Sequence, residues 1–204
     1  MKGKFIVLEG IDGAGKSTHV DFIAQAIGQH HGVQVVVTRE PGGTPLAEKL
    51  RELVLHEPMD VETEVLLVSA ARRDHVRGVI APALESGQWV LCDRFVDSTR
   101  AYQGGGGRVD LEWIDALSRH AVADCWPDRV FLFDAPAALA AQRRGGRGQA
   151  EDRFEAQDLA YFERVRQVYL HQHRPGAEAA FRVIDASQDV SRIQQILTEE
   201  IIRI

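Results

Sequence analysis

At 204 residues the chain suits one domain with a sizeable core, and 45% hydrophobic with 26% charged residues is the composition of a soluble globular protein. No apolar run approaches the roughly 18 residues of a membrane-spanning helix. A formal net charge of −6 opposes a protein whose work is coating nucleic acid, so any anion site has to be local.

The elements alternate along the chain. "FIVLEG" at 5–10 reads as a strand, 17–31 as a helix, "VQVVVT" at 33–38 as a strand, and 45–56 and 61–85 as helices. "WVLCDR" at 89–94, a helix over 110–123, "RVFLFDA" at 129–135, "FRVIDA" at 181–186 and a last helix near 189–202 complete the series. Near-continuous apolar strands separated by helix-length segments predict an α/β fold: a five-stranded parallel sheet flanked by helices in three layers, as one domain over 1–204. Ligands bind such sheets beyond the carboxyl ends of the strands, so chemistry is sought just after each one. Glu9 and Asp12 interrupt the N-terminal apolar stretch before a signal-peptide core could form, and the two cysteines, Cys92 and Cys125, have neither metal-type spacing nor a disulfide framework. A cytoplasmic protein is expected.

After the first strand stands "GIDGAGKST", which satisfies G-x-x-x-x-G-K-[ST] with Gly10, Gly15, Lys16 and Ser17. The glycines let backbone N–H groups turn toward phosphate oxygens, and the next helix aims its positive dipole end at them. Gly10, Ile11, Asp12, Gly13, Ala14, Gly15, Lys16, Ser17 and Thr18 are therefore expected to hold the phosphates of a nucleotide, with Lys16 on the β and γ phosphates and Ser17 on Mg²⁺. A guanine-reading Asn-Lys-x-Asp motif is impossible here, since the chain contains no asparagine, and a motor or transporter ATPase would be larger with a longer acidic strand motif, which leaves a small kinase as the leading class.

Two further strand ends are polar: "TREPGGT" after the second, with Arg39 and Glu40, and "CDRFVDSTRAYQGGGG" at the third, with Asp93 and Arg94 ahead of a glycine-bearing loop. Between two helical patterns lies "QRRGGRGQAEDR" at 142–153, four arginines and three glycines in twelve positions. An RNA-binding tail, a linker and a mobile loop over an anion are its possible readings; its internal position disfavours the tail.

With "GIDGAGKST", "TREPGGT", "DRFVDSTRAYQGGG" and an arginine-rich loop before "EDRFE", in that order over about residues 5 to 187, the chain closely resembles bacterial thymidylate kinases, the subgroup with arginines in the lid rather than the P-loop. The resemblance implies phosphorylation of dTMP to dTDP with ATP and Mg²⁺, and a homodimer built on the helices around 61–85. It implies that Asp12 places the sugar, that Arg94 with Arg39 and Arg51 holds the acceptor phosphate, and that Asp93 stands by the metal. Arg72 would donate to a thymine carbonyl, Ser98, Thr99 and Gln103 would line the base edge, and Tyr102 would favour deoxyribose.

Val68 stands where the family commonly has an aromatic residue that stacks on thymine, and Gly107 where an arginine is usual. Because Ala14 leaves the P-loop without a second basic group, the lid is expected to supply it: Arg147 and Arg153 facing phosphate, Arg143 against adenine. Another nucleoside monophosphate or deoxynucleoside kinase is the chief rival. A non-catalytic RNA-binding P-loop protein is the rival from another class, and charge opposes it.

Overall fold

The computed structural model describes residues 2–146, 152–171, 177 and 180–204. Its sheet has five parallel strands: β1 (Phe5–Glu9), β2 (Val35–Arg39), β3 (Trp89–Asp93), β4 (Arg129–Asp134) and β5 (Phe181–Asp185), in the order β2-β3-β1-β4-β5. β1 is buried along its whole length, as a central strand covered on both faces must be. Its register, Leu8 opposite Asp93 and Glu9 opposite Leu132, brings the ends of β1, β3 and β4 to one crevice. The strand order switches sides at β1, with β3 and β2 on one flank and β4 and β5 on the other, and ligands sit at such switch points.

Helices flank the sheet in three layers. α1 (Lys16–His31) packs on α9 (Val190–Ile202), while α3 (Val61–His75) packs on α2 (Pro45–His56) and α6 (Leu111–Val122). Their starts follow local chemistry: Thr44, Asp60, Asp110 and Asp189 cap α2, α3, α6 and α9 by accepting a backbone N–H from the first turn. Among the described residues no helix is long and apolar enough to cross a membrane.

The expected helix over 61–85 runs as α3, a π-helical turn at Val76–Ile80, and α4 (Ala81–Glu85). Two other segments depart from the sequence reading. The stretch after Arg94, expected as a loop for its glycines, is helical: α5 (Val96–Thr99) continues into π-helical turns over Arg100–Gly106. There the glycines serve close packing. A Cβ on Gly104 would lie 2.4 Å from Leu111, on Gly105 2.6 Å from Val168, and on Gly106 2.4 Å from Tyr161, so α6 and α8 (Leu159–His171) could not approach. α7 (Ala137–Gly145) likewise runs into the arginine-rich segment, putting Arg143 and Arg144 on its last turn. Residues 147–151 of that segment lie outside the described residues.

Candidate active site

The loop leaving β1 turns on Gly10 (φ 137), Gly13 (φ 86) and Gly15 (φ 97), a backbone that side chains oppose. Close approach adds a second reason. A Cβ on Gly10 would meet the Phe133 carbonyl at 2.4 Å, and one on Gly13 the Ala140 carbonyl at 2.2 Å. The loop is thus clamped between β4 and α7, with Gly15 at the N-terminus of α1. Ile11 and Ala14 are buried beneath it, while Ser17 and Thr18 are exposed on the first turn. Lys16 Nζ donates to the carbonyls of Gly10 at 2.8 Å and Ile11 at 3.2 Å, curling over the loop. Burial first, and the Arg94 charge second, push its pKa down to about 8.

Asp12 and Arg94 meet above this loop. Arg94 Nη2 donates to Asp12 Oδ1 at 2.6 Å and Nη1 to the Gly10 carbonyl at 3.1 Å. Arg94 has φ 71, an uncommon backbone for a residue with a side chain, pinned by its N–H on the Leu8 carbonyl at 2.9 Å. Burial opposes charge on Asp12, yet Arg94, Lys16 and the Tyr102 hydroxyl outweigh it and hold the carboxyl below the usual carboxylate range.

Two adjoining cavities share Asp12, Glu40, Arg51 and Arg94. The first is bordered by Gly13, Gly15, Lys16, Ser17, Arg39 and Asp93. Asp93 Oδ1 is buried and has no hydrogen-bond partner among the described residues. The second, about 100 Å³ and so of the size of one base, is bordered by Val68, Arg72, Ser98, Thr99, Tyr102 and Gln103. Arg72 is clamped there: Nε donates to Glu40 Oε2 at 2.7 Å, and Nη2 donates to the Phe95 carbonyl and to Thr99 Oγ1, both at 3.0 Å. Its Nη1 is a buried donor without a partner among the described residues. His75 Nδ1 donates to the other oxygen of Glu40 at 3.0 Å, so the Arg72 clamp is itself braced from inside α3.

The arginines are distributed unevenly. Arg51 Nη1 donates to the Pro41 carbonyl at 2.9 Å and borders both cavities, whereas the exposed Arg39 pairs with Glu48 at 3.0 Å. Arg143 Nη1 reaches the Ala186 carbonyl at 2.9 Å, beside the loop after β5. Arg153 lies on the second cavity's flank, donating to the Val54 carbonyl at 2.9 Å and to Glu64 at 2.6 Å. Glu64 is a buried acid of α3, and ion pairing draws the guanidinium to it. Arg144, which the sequence did not single out, donates to the Asp12 carbonyl at 2.6 Å with its guanidinium 3.9 Å over the Phe162 ring. Arg147 lies outside the described residues.

Sequence reasoning also passed over the contacts of buried Glu9 and Tyr169 with Ser98 beneath Arg94. Glu9 accepts from Ser98 Oγ at 2.6 Å, Tyr169 Oη at 2.9 Å and the Phe95 N–H at 2.8 Å. Burial first, then the Asp97 charge, raise its pKa to about 7. The strand-end rule could have marked Glu9; no spacing in the sequence marks Tyr169.

A family model described as thymidylate kinase matches residues 8–197. The chain belongs to the thymidylate kinase family. It is 48% identical over 200 residues to a thymidylate kinase of Bordetella pertussis, covering 98% of this chain and 95% of that protein. To a thymidylate kinase of Cupriavidus metallidurans it is 50% identical over 201 residues, 98% of each chain. One from Burkholderia vietnamiensis is 47% identical over 196 residues, 95% of this chain and 94% of its own. The thymidylate kinase match spans the P-loop, both cavities and the segment carrying Arg143 and Arg153, so the site described above lies wholly inside it.

Proposed function

We propose that this thymidylate kinase family member transfers the γ-phosphoryl group of ATP to dTMP, giving dTDP and ADP. The observation that carries the reading is the meeting of a P-loop cavity and a base-sized cavity across Asp12 and Arg94, within a chain about half identical to thymidylate kinases. Phosphoryl transfer needs aligned oxygens and cancelled charge more than covalent help. An oxygen of the dTMP phosphate attacks the γ phosphorus in line, and the bond to the β–γ bridging oxygen breaks.

The residues divide the work. The backbone of Gly10–Ser17 and Lys16 would hold the β and γ phosphates, the Arg94 fork with Arg51 and Arg39 the acceptor phosphate. Lys16 would leave the two carbonyls for phosphate oxygens, whose charge favours its ammonium. Asp12 would accept the sugar hydroxyl, and the Tyr102 ring would lie against the deoxyribose. Arg72 Nη1 would donate to thymine O4, with Thr99 and Ser98 beside it. Arg143 would border adenine near Ala186.

Mg²⁺ suits this cavity, because the unpartnered Asp93 carboxylate oxygen and the Ser17 hydroxyl are the hard oxygen donors it takes. When bound with ATP it neutralises phosphate charge. Arginines of 142–153, Arg147 among them, would complete that neutralisation as a lid of the single domain, which assigns the chain to the lid-arginine subgroup. The reading further includes a cytoplasmic homodimer, for which the exposed Leu66 on α3 offers apolar contact.

Release of ADP over a panel of nucleoside monophosphates tests the assignment. Turnover of dTMP and dUMP with little of CMP or AMP is expected. AMP turnover matching that of dTMP would overturn it in favour of another monophosphate kinase.

A further inference from the structure

Glu64 stands on α3 one helical turn before Val68, is 5% exposed, and has both oxygens engaged. Gln103 Nε2 donates to Oε1 at 2.5 Å and Arg153 Nη2 donates to Oε2 at 2.6 Å. Gln103, also 5% exposed, borders the base-sized cavity. Its amide has a donor end and an acceptor end of nearly equal shape, and either could turn toward a ligand. A carboxylate only accepts hydrogen bonds, so the nitrogen must face Glu64 and the carbonyl oxygen is the end left for the cavity.

Across the same cavity, Arg72 holds Nη1 as a donor that cannot become an acceptor. A fixed donor and a fixed acceptor bordering one cavity complement one type of pyrimidine edge. Thymine and uracil carry O4 as acceptor and N3–H as donor; cytosine carries an amino group at C4 and a bare N3, the reverse pattern. With a free amide, Gln103 could rotate to meet either base at little cost. We propose that Glu64 is a positioning residue that sets pyrimidine selectivity by locking the Gln103 amide with its oxygen toward the base.

Arg153 has a defined part in this device. It donates from Nε and Nη2 to the Val54 carbonyl at 3.1 and 2.9 Å, so its charge is held against Glu64 from the α2 side. The buried carboxylate is thereby paired, without which its burial would be costly. The proposal rests on the reading that this cavity takes the base of dTMP.

Two measurements test it separately from that reading. Calorimetric binding of dTMP and dCMP is compared for the unaltered chain, for E64Q, and for the exchange E64Q/Q103E. E64Q should narrow the preference for dTMP by about tenfold, the worth of one neutral hydrogen bond. The exchange should restore much of it, since the new amide at 64 donates to the new carboxylate at 103, whose other oxygen again faces the cavity. A purely structural Glu64 would lower the melting temperature and leave the ratio alone; an unchanged ratio in E64Q overturns the proposal. The second measurement needs no substrate and no variant: the side-chain amide protons of Gln103 in the unliganded chain. One of them should resonate downfield, held by the carboxylate, and two protons at free-amide positions would overturn the proposal even if dTMP proved not to be the ligand.

Discussion

The Tyr102 hydroxyl donates to Asp12 Oδ2 at 2.6 Å while accepting the Asp12 N–H at 3.0 Å, tying a residue of the P-loop to the π-helical turns after β3. The same oxygen accepts from Arg94 Nη2 at 3.2 Å. One phenol thus sets the mutual position of Asp12 and Arg94. Tyr102→Phe removes these bonds and keeps the ring. The KM for dTMP should rise at least about tenfold, the worth of one hydrogen bond where three are lost, while the preference for deoxyribose over ribose stays. Kinetics with dTMP and its ribose counterpart check this; a collapse of the sugar preference instead would assign selection to the hydroxyl.

Asp93 is the next case. A buried carboxylate oxygen with no partner among the described residues weakens the fold unless function needs it. Asp93→Asn should lower kcat by about a hundredfold or more, the scale of losing a charge near transferring phosphate, and should leave the melting temperature at least as high. ADP release over a range of Mg²⁺ concentrations, paired with thermal unfolding, measures both.

Glu9 sets a pH dependence. Its folded pKa of about 7 lies above the ordinary 4.5, so between these values the folded chain binds more protons than the unfolded one. The stability this group contributes is complete below pH 4.5 and is lost as pH rises through about 7. Glu9→Gln removes the titration. The stability difference between the unaltered chain and E9Q, from urea unfolding at pH 5 and pH 8, should shift in favour of E9Q at the higher pH. A pH-independent difference would refute it.

Val68 borders the base-sized cavity together with Phe154, whose ring meets Tyr102 edge to face at 5.9 Å. Phe154 supplies an aromatic wall that α3 lacks. Val68→Phe adds a ring on the α3 side and should lower the KM for dTMP by roughly two- to tenfold, the range of one aromatic contact. A rise in KM would mean that Phe154 already fills the stacking position.

The P-loop was legible because its chemistry is local. Gly10, Gly13, Gly15 and Lys16 are neighbours in the chain, and their conformations follow from residue type. Asp93 and Arg94 were legible from the strand-end rule, since a parallel sheet gathers those ends. Glu64 with Gln103, 39 residues apart, and Tyr169 with Glu9, 160 apart, left no such trace. Glycines misled twice. After Arg94 they signalled a loop but serve tight helix packing against α6 and α8, and in "RRGG" they did not prevent α7 from carrying Arg143 and Arg144 on its last turn.

By itself the sequence determined which groups the chain owns and the local backbone that carries them: a phosphate loop after one strand, carboxylates and guanidinium groups at the ends of others, a parallel sheet to align them. Only the tertiary structure decided the pairings. Arg153 turns to Glu64 and Arg144 to the P-loop because hydrogen bonds depend on distance and angle in space. Those are set by how α3, α7, α8 and the turns after β3 pack, and no spacing along the chain encodes that packing.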